Sequence, residues 1–95
     1  MPAITLNINY DLPKESWEKI SLIYQSMQGW QGYDEGGIPL WTVDSQKGIS
    51  LYASVEPSGL VLEYTEADPK VENWIANFIF KASAALGYTV KDAEA

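Results

Sequence analysis

The side chains in this sequence that could do chemistry are almost all carboxylates. Asp34 and Glu35 are adjacent, and Glu63 precedes Glu66 by three residues. Either pair could be written as the two acids of a glycoside hydrolase. Asp34, Glu35 and Asp44 could supply oxygen ligands to Ca²⁺ or Mg²⁺, but they lack the dense alternating pattern of a calcium loop. Since acidic pairs are expected by chance in a chain with 13 Asp and Glu residues, we predict no catalytic residue, no metal and no cofactor.

The composition excludes several classes of function. The 95 residues include no cysteine and no histidine, which removes thiol catalysis, disulfides, the commonest general base and the commonest metal ligand. Six lysines, no arginine and 13 acidic residues give a formal net charge of −7. Such a field repels nucleic acid and anionic membrane surfaces, and it attracts basic proteins. We therefore predict an acidic protein-binding module that is not an enzyme and binds neither nucleic acid nor membranes.

The length and hydropathy predict one domain over residues 1–95. The apolar fraction of 46% is too high for a disordered chain, and a chain of this length can bury a core without disulfides. No apolar run approaches the roughly 20 residues that span a bilayer. The N-terminus lacks the charged and apolar regions of a signal peptide. These features predict a cytoplasmic protein.

The best candidate binding site is the segment Gln28–Gly37, QGWQGYDEGG, which combines four glycines with two aromatic and two acidic residues. It has neither helical nor strand periodicity, which predicts a loop of about ten residues. Exposed aromatic residues are favoured anchors at protein interfaces. We predict partner contacts by Trp30, Tyr33, Asp34 and Glu35. The alternative is that Trp30 and Tyr33 fold back onto the core while the glycines merely make turns.

The clearest structural element is a β-hairpin over Gly48–Glu66. Its two runs of alternating apolar residues reach the same side of a sheet only if Val55 lies opposite Leu60. This register leaves Glu56–Gly59 as a four-residue connection. Pro57 argues against a tight turn of the primed type, because proline cannot adopt positive φ.

Periodicity and turn residues define the remaining elements. They are a strand over Ile4–Tyr10, a helix from Pro13 to Gly29 with Trp17, Ile20, Tyr24 and Met27 on its apolar face, a strand over Ile38–Val43, and a helix from Pro69 to Gly87 capped by Asp68. Residues 88–90 are expected to form a short strand or a docked tail, and residues 91–95 to fray. The order β-α-β-β-β-α predicts an α+β two-layer sandwich, with a mainly antiparallel sheet of about four strands and both helices on one face. The position and direction of the first strand remain open.

Two further surfaces are alternatives to the loop. The hairpin register places Tyr52 opposite Glu63 on the outer face of the sheet, which is poor in charge. An antiparallel sheet can simply show such a face to water, or Tyr52 and Glu63 could contact a partner or a second copy in a homo-oligomeric scaffold. On the second helix, Ala76, Phe80 and Ala84 form a stripe away from the core. We expect Phe80 to be half-buried at the sheet margin, the alternative being a small oligomer contact.

Three segments together resemble a known group of proteins: Tyr10–Tyr33, Gly37–Trp41 (GIPLW) and Ala53–Leu60 (ASVEPSGL). They are similar to small bacterial proteins associated with immunity to polymorphic or contact-delivered toxins. The resemblance implies a cytoplasmic inhibitor that binds a basic toxin domain and occludes its active site. It transfers no catalytic or binding residue. A homo-oligomeric scaffold and, third, a carboxylate-dependent enzyme are the other functions that the sequence permits.

Overall fold

The computed structural model describes residues 1–94 and has an α+β fold, as predicted. The sheet contains five strands instead of about four, in the order β1-β5-β4-β3-β2, and every neighbouring pair is antiparallel. The additional strand, β2, lies within the segment predicted to be a loop. The elements are β1 (Ala3–Leu6), α1 (Lys14–Ser26), β2 (Trp30–Tyr33), β3 (Pro39–Asp44), β4 (Ile49–Glu56), β5 (Gly59–Tyr64) and α2 (Pro69–Leu86).

The β4–β5 hairpin has the predicted register. Val55 lies opposite Leu60, because only this register turns the apolar residues of both strands to one face. The predicted four-residue connection is wrong, since Glu56 also pairs with Gly59 and leaves only residues 57–58 between the strands. The described residues with positive φ are all glycines, so Pro57 sits in a turn that is not of the primed type.

The first strand is shorter than its alternating sequence predicts. β1 ends at Leu6, which lies opposite Leu60 in the pairing with β5. Ile8 is still fully buried, but Tyr10, the last residue of the predicted strand, is 58% exposed. Gly59 allows β1 to approach, because a Cβ atom at this position would lie 2.3 Å from the backbone oxygen of Leu6.

The C-terminal segment covers the outer edge of β1. The backbone N–H of Asn7 donates to the oxygen of Lys91 at 3.0 Å, and that of Ala93 donates to the oxygen of Thr5 at 2.8 Å. Val90 is 2% exposed. The predicted docked tail is therefore present, whereas the fraying predicted from Lys91 onward is wrong as far as Glu94; Ala95 lies outside the described residues.

Both helices have the ends that their sequences predict to within a few residues. The carboxylate of Asp68 accepts a hydrogen bond from the N–H of Lys70 at 2.8 Å and caps α2, which ends at Gly87 in the left-handed conformation. The last residue of α1 is Ser26, and the chain turns at Gly29 to enter β2. A Cβ atom at Gly29 would lie 2.0 Å from the oxygen of Thr42. Glycine is therefore required where α1 leads into the sheet.

An aromatic cluster joins the two helices to the sheet. Trp41 on β3 is fully buried, and its indole N–H donates to the backbone oxygen of Tyr24 on α1 at 2.9 Å. The centroid of the Trp41 ring lies 5.3 Å from that of the Tyr24 ring and 4.8 Å from that of the Trp74 ring on α2. Phe78 stacks against both Tyr24 and Trp74. Because α1 and β3 share this cluster, the core fixes the position of the β2–β3 connection relative to α1.

No helix within residues 1–94 combines the length and the apolar character needed to cross a membrane.

Candidate functional site

The predicted binding loop is a hairpin in the structure. Trp30–Tyr33 form strand β2, and residues 34–38, here called the tip loop, connect it to β3. The prediction of a ten-residue loop is wrong, since four of its residues form β2. The sequence did not indicate this strand because these residues have little strand periodicity of their own. Its register is interrupted by a bulge between Trp30 and Gly32. Pairing with the core strand β3, rather than local sequence, therefore makes β2 a strand.

The two aromatic residues of this segment lie in different environments. Trp30 is half-buried and packs on the core, with its ring 5.4 Å from that of Trp41. Tyr33 is 50% exposed. The centroids of its ring and the Trp30 ring are 5.2 Å apart, and the two ring planes are nearly perpendicular. Trp30 thus supports Tyr33 from the core side, and Tyr33 presents an aromatic surface to solvent.

The two acidic residues of the tip loop also differ. One carboxylate oxygen of Asp34 accepts hydrogen bonds from the N–H groups of Gly36 at 2.8 Å and Ile38 at 2.9 Å. This side chain therefore closes the turn. Glu35 is exposed, and no hydrogen bond of its side chain to residues 1–94 is observed. Neither residue forms an ion pair within the described chain.

An open groove of about 370 Å³ lies between α1 and the tip loop. Apolar and aromatic side chains from four elements make its walls, and the end of β4 closes it. Ligand pockets in proteins commonly measure about 300–1,000 Å³, so this groove is the size of a site for one side chain or one small molecule. Its lining residues are Trp17, Ser21, Tyr24, Tyr33, Gly37, Ile38, Pro39, Ala53, Ser54 and Val55.

Tyr24 gives the groove a polar group deep in the protein. The residue is only 5% exposed, and burial, with a smaller effect of the neighbouring phenol of Tyr33, raises the pKa of Tyr24. The phenol therefore stays neutral at physiological pH. Side chains of a helix lean toward its N-terminus, which directs Tyr24 toward Ser21 and Trp17 on the same face of α1.

The opposite end of the sheet holds its carboxylates in ion pairs. Asp44, at the end of β3, is 7% exposed and accepts a hydrogen bond from the ammonium of Lys70 at 2.9 Å. Asp68 accepts one from Lys47 at 3.1 Å. The hydrogen bond from Lys70 and those from the backbone N–H groups of Lys47 and Gln46 lower the pKa of Asp44. We call this region the Asp44 end.

The predicted outer-face residues do not join the tip loop. Tyr52 pairs with Leu40 on one side and with Glu63 on the other, in a row across the sheet. Tyr52 and Glu63 are both half-buried, whereas their chain neighbours Leu51, Ala53 and Leu62 on the other face are buried. The predicted site residues therefore divide between the hairpin of β2 and the tip loop and the outer face of the sheet.

The expected half-burial of Phe80 is wrong: its side chain is 74% exposed on α2. The sequence did not reveal the groove either. Trp17 and Val55 were assigned to the core by their periodicity, yet Trp17 is only half-buried and Val55 is 49% exposed. Side-chain periodicity shows which face of a helix or strand is apolar. It does not show how far the neighbouring helices or strands cover that face. No signal in the sequence could have separated these two residues from the core.

Within residues 1–94, no three acidic side chains converge into a group that could hold a metal ion. No protein-family model, curated protein or solved structure matches this chain. The resemblance to toxin-immunity proteins therefore stays a prediction, and the proposals below depend on the geometry.

Proposed function

We propose that this protein is a protein-binding module that captures a basic protein at the tip loop and the adjoining groove. One observation carries the proposal: the groove is lined in part by the tip loop, whose exposed Glu35 forms no ion pair in the described part of the chain. The Asp44 end, in contrast, uses its carboxylates within the fold.

The combination fits the usual composition of a protein interface. Aromatic residues in desolvated pockets contribute most of the binding energy, and surrounding polar residues exclude water. Trp17 and Tyr33 would supply that central contact. The unpaired carboxylate of Glu35 would steer a positively charged partner and raise its association rate. The net charge of −7 acts in the same direction at longer range.

We further propose that the module is a cytoplasmic inhibitor of the immunity type, which occludes the active site of a basic toxin domain. The proposal treats the two helices as one layer against the buried face of the sheet. In that arrangement the tip loop projects at the end of the sandwich, where it can enter the cleft of a partner. The immunity type itself is the function that the predicted resemblance of Tyr10–Tyr33, Gly37–Trp41 and Ala53–Leu60 implies, and the geometry supports only the binding surface.

A pair of charge reversals tests the location of the site. Glu35→Lys and Glu66→Lys each change the net charge by the same amount, but Glu66 lies between β5 and α2, at the Asp44 end. Both residues are exposed. Extract of the source cells is passed over the wild-type protein and both variants at low and at high salt. The retained protein is then purified, and its affinity for each variant is measured.

We expect a basic protein that the wild type and Glu66→Lys retain and that Glu35→Lys binds at least about tenfold more weakly, because a rim charge is replaced by a repulsive one. Co-expression with wild type should suppress the toxicity of that partner, and co-expression with Glu35→Lys should not. Equal weakening by both reversals would mean that only net charge matters and would contradict a site at the tip.

Self-association through the outer face is a second candidate function. Among the residues of the row Ala3, Glu63, Tyr52, Leu40 and Gly32, the only charged one is Glu63. Two copies of an acidic protein repel each other least where their surfaces are uncharged. Sedimentation over a range of protein concentrations tests this candidate directly.

A further inference from the structure

The floor of the groove contains a hydroxyl group that lacks a protein partner. The phenol of Tyr24 makes no hydrogen bond to any residue from 1 to 94, although the residue is only 5% exposed. In the same residues, no fully enclosed side-chain polar atom is without a hydrogen-bond partner. The Tyr24 hydroxyl must therefore reach solvent, and the groove is the opening that Tyr24 lines. A ligand that covers this hydroxyl displaces its water, so a ligand that offers a hydrogen bond in return is favoured.

The walls of the groove are mainly aromatic and apolar. Trp17 and Tyr33 contribute aromatic rings, and Ile38 and Val55 contribute aliphatic surface. Glu35 lies two residues after Tyr33, is exposed and forms no ion pair within residues 1–94, and the net charge of −7 adds to its field. No lysine is among the described residues that line the groove. Aromatic walls in a protein of high negative charge favour a cation with an apolar stem.

We propose that the groove is the binding site for one arginine side chain of the basic partner. The proposal rests on the proposed function and names the group that is recognised. The guanidinium would stack on the aromatic rings and donate hydrogen bonds to the hydroxyls of Tyr24 and Ser21, and its methylene stem would pack against Ile38 and Val55.

Other occupants fit less well. An apolar side chain would cover the Tyr24 hydroxyl without offering it a hydrogen bond, which leaves a desolvated polar group unpaired. A lysine ammonium is more strongly hydrated than a guanidinium and lacks the planar face that stacks on an aromatic ring. Arginine combines a permanent cation, a planar face and five N–H donors, whereas histidine is a cation with two donors only when it is protonated.

Short peptides test the assignment without the natural partner. The probe is acetyl-Gly-Gly-Arg-Gly-Gly-amide, and the matched controls carry citrulline, lysine or norleucine in place of arginine. Citrulline keeps the shape and the planar head but removes the charge. Binding is followed by the NMR signals of the Trp17 indole and of the Tyr33 backbone amide during titration.

We expect saturable shifts of both signals with the arginine peptide, and binding at least about tenfold weaker with citrulline and with norleucine, since a charged hydrogen bond and the cation–π contact are lost. Lysine should bind with intermediate affinity. Equal shifts with citrulline or norleucine would overturn the arginine assignment, as would no shift with any of the four peptides.

A hydroxyl deletion tests the floor of the site. Tyr24→Phe keeps the ring that packs against Trp41 and Phe78, so we expect the fold to be retained, and thermal unfolding of the variant tests this. The matched control is Tyr52→Phe on the outer face. We expect Tyr24→Phe to weaken the arginine peptide by about five- to tenfold and Tyr52→Phe to leave it unchanged. An equal effect of both variants would contradict the role of Tyr24.

The two proposals fail separately. If Glu35→Lys weakens the partner while no arginine peptide binds, the arginine inference is wrong and the binding function stands. If the arginine peptide binds but the extract yields no protein that distinguishes Glu35→Lys from Glu66→Lys, the site is real and the proposed function is wrong.

Discussion

At the Asp44 end of the sheet, two carboxylates are held by lysines, whereas in the tip loop the carboxylate of Glu35 is exposed and forms no ion pair within the described residues. Asp44 and Asp68 accept hydrogen bonds from Lys70 and Lys47, and they also cap the β3–β4 turn and the start of α2. Both ends are made of turns, and both are acidic in sequence. Among the described residues, lysines form ion pairs with carboxylates only at the Asp44 end.

This difference shows why net charge alone does not locate a binding surface. A carboxylate that bonds to backbone N–H groups and to a lysine contributes to folding, and its field is largely cancelled nearby. A carboxylate without such partners, such as that of Glu35, keeps its field available to another molecule. Substitutions at the Asp44 end should therefore change stability, and substitutions at the tip should change binding.

Two glycines with nearly the same backbone conformation sharpen the comparison most strongly. Gly29 has φ 85° and lies where α1 leads toward Thr42, and Gly37 has φ 80° in the tip loop. Alanine at either position adopts a left-handed conformation, which costs about 1–2 kcal/mol. At Gly29 the new Cβ would also lie 2.0 Å from the oxygen of Thr42, whereas at Gly37 it meets no atom within 4 Å.

We therefore expect Gly29→Ala to reduce the free energy of unfolding by roughly 3 kcal/mol or more and Gly37→Ala to reduce it by only the conformational term. Chemical denaturation of both variants measures the two losses. Since the conformational cost is shared, their difference isolates the contact with Thr42. Equal losses would show that the chain can relax around Gly29 and that the contact with Thr42 costs nothing.

The acid sensitivity of the protein should depend on the Asp44 end. The pKa of Asp44 is lowered in the folded protein, first by the hydrogen bond from Lys70. The unfolded state therefore binds more protons, so stability rises with pH and is lost as the pH falls below about 5 and then through the folded pKa. Asp44→Asn should be less stable than wild type at neutral pH, and the difference should shrink in acid.

Asp11→Asn is the matched control, because it removes the same charge from an exposed residue. Thermal unfolding from neutral pH down to about pH 3, below the ordinary pKa of aspartate, about 3.9, measures both profiles. We expect the profile of Asp11→Asn to follow that of wild type. A constant difference between Asp44→Asn and wild type at every pH would mean that Asp44 acts through packing and not through its charge.

Local sequence determined the parts of the fold in which neighbouring residues pair. The register of Val55 with Leu60 was predictable because side chains alternate in a strand and a slip of one residue would expose one apolar set. The start of α2 was predictable because Asp68 and Pro69 satisfy or remove N–H groups that a helix leaves free. In both cases the information lies within a few residues of the element that it specifies.

The elements that the sequence missed depend on distant partners. β2 contains a bulge and Gly32, so its strand conformation comes from β3. The tail from Lys91 to Ala93 is polar, and it is ordered because β1 offers an unpaired edge. The groove was missed for a related reason. Whether Val55 is core or surface depends on where the helices end, which alternation of side chains cannot reveal.

The outer face provides the smallest expected effect, and it also tests the choice between the two candidate functions. Cross-strand pairs such as Tyr52 and Glu63 contribute roughly 0.2–1 kcal/mol to stability, so Tyr52→Ser and Glu63→Gln should each cost less than about 1 kcal/mol. If the tip and the groove are the binding site, both variants should bind the basic partner and the arginine peptide as wild type does, measured by calorimetry and NMR.

Sedimentation of wild type should give a monomer mass at every concentration. A larger mass that Tyr52→Ser abolishes would instead assign the uncharged face to self-association, and a loss of partner affinity in both variants would move the binding site from the tip to the sheet.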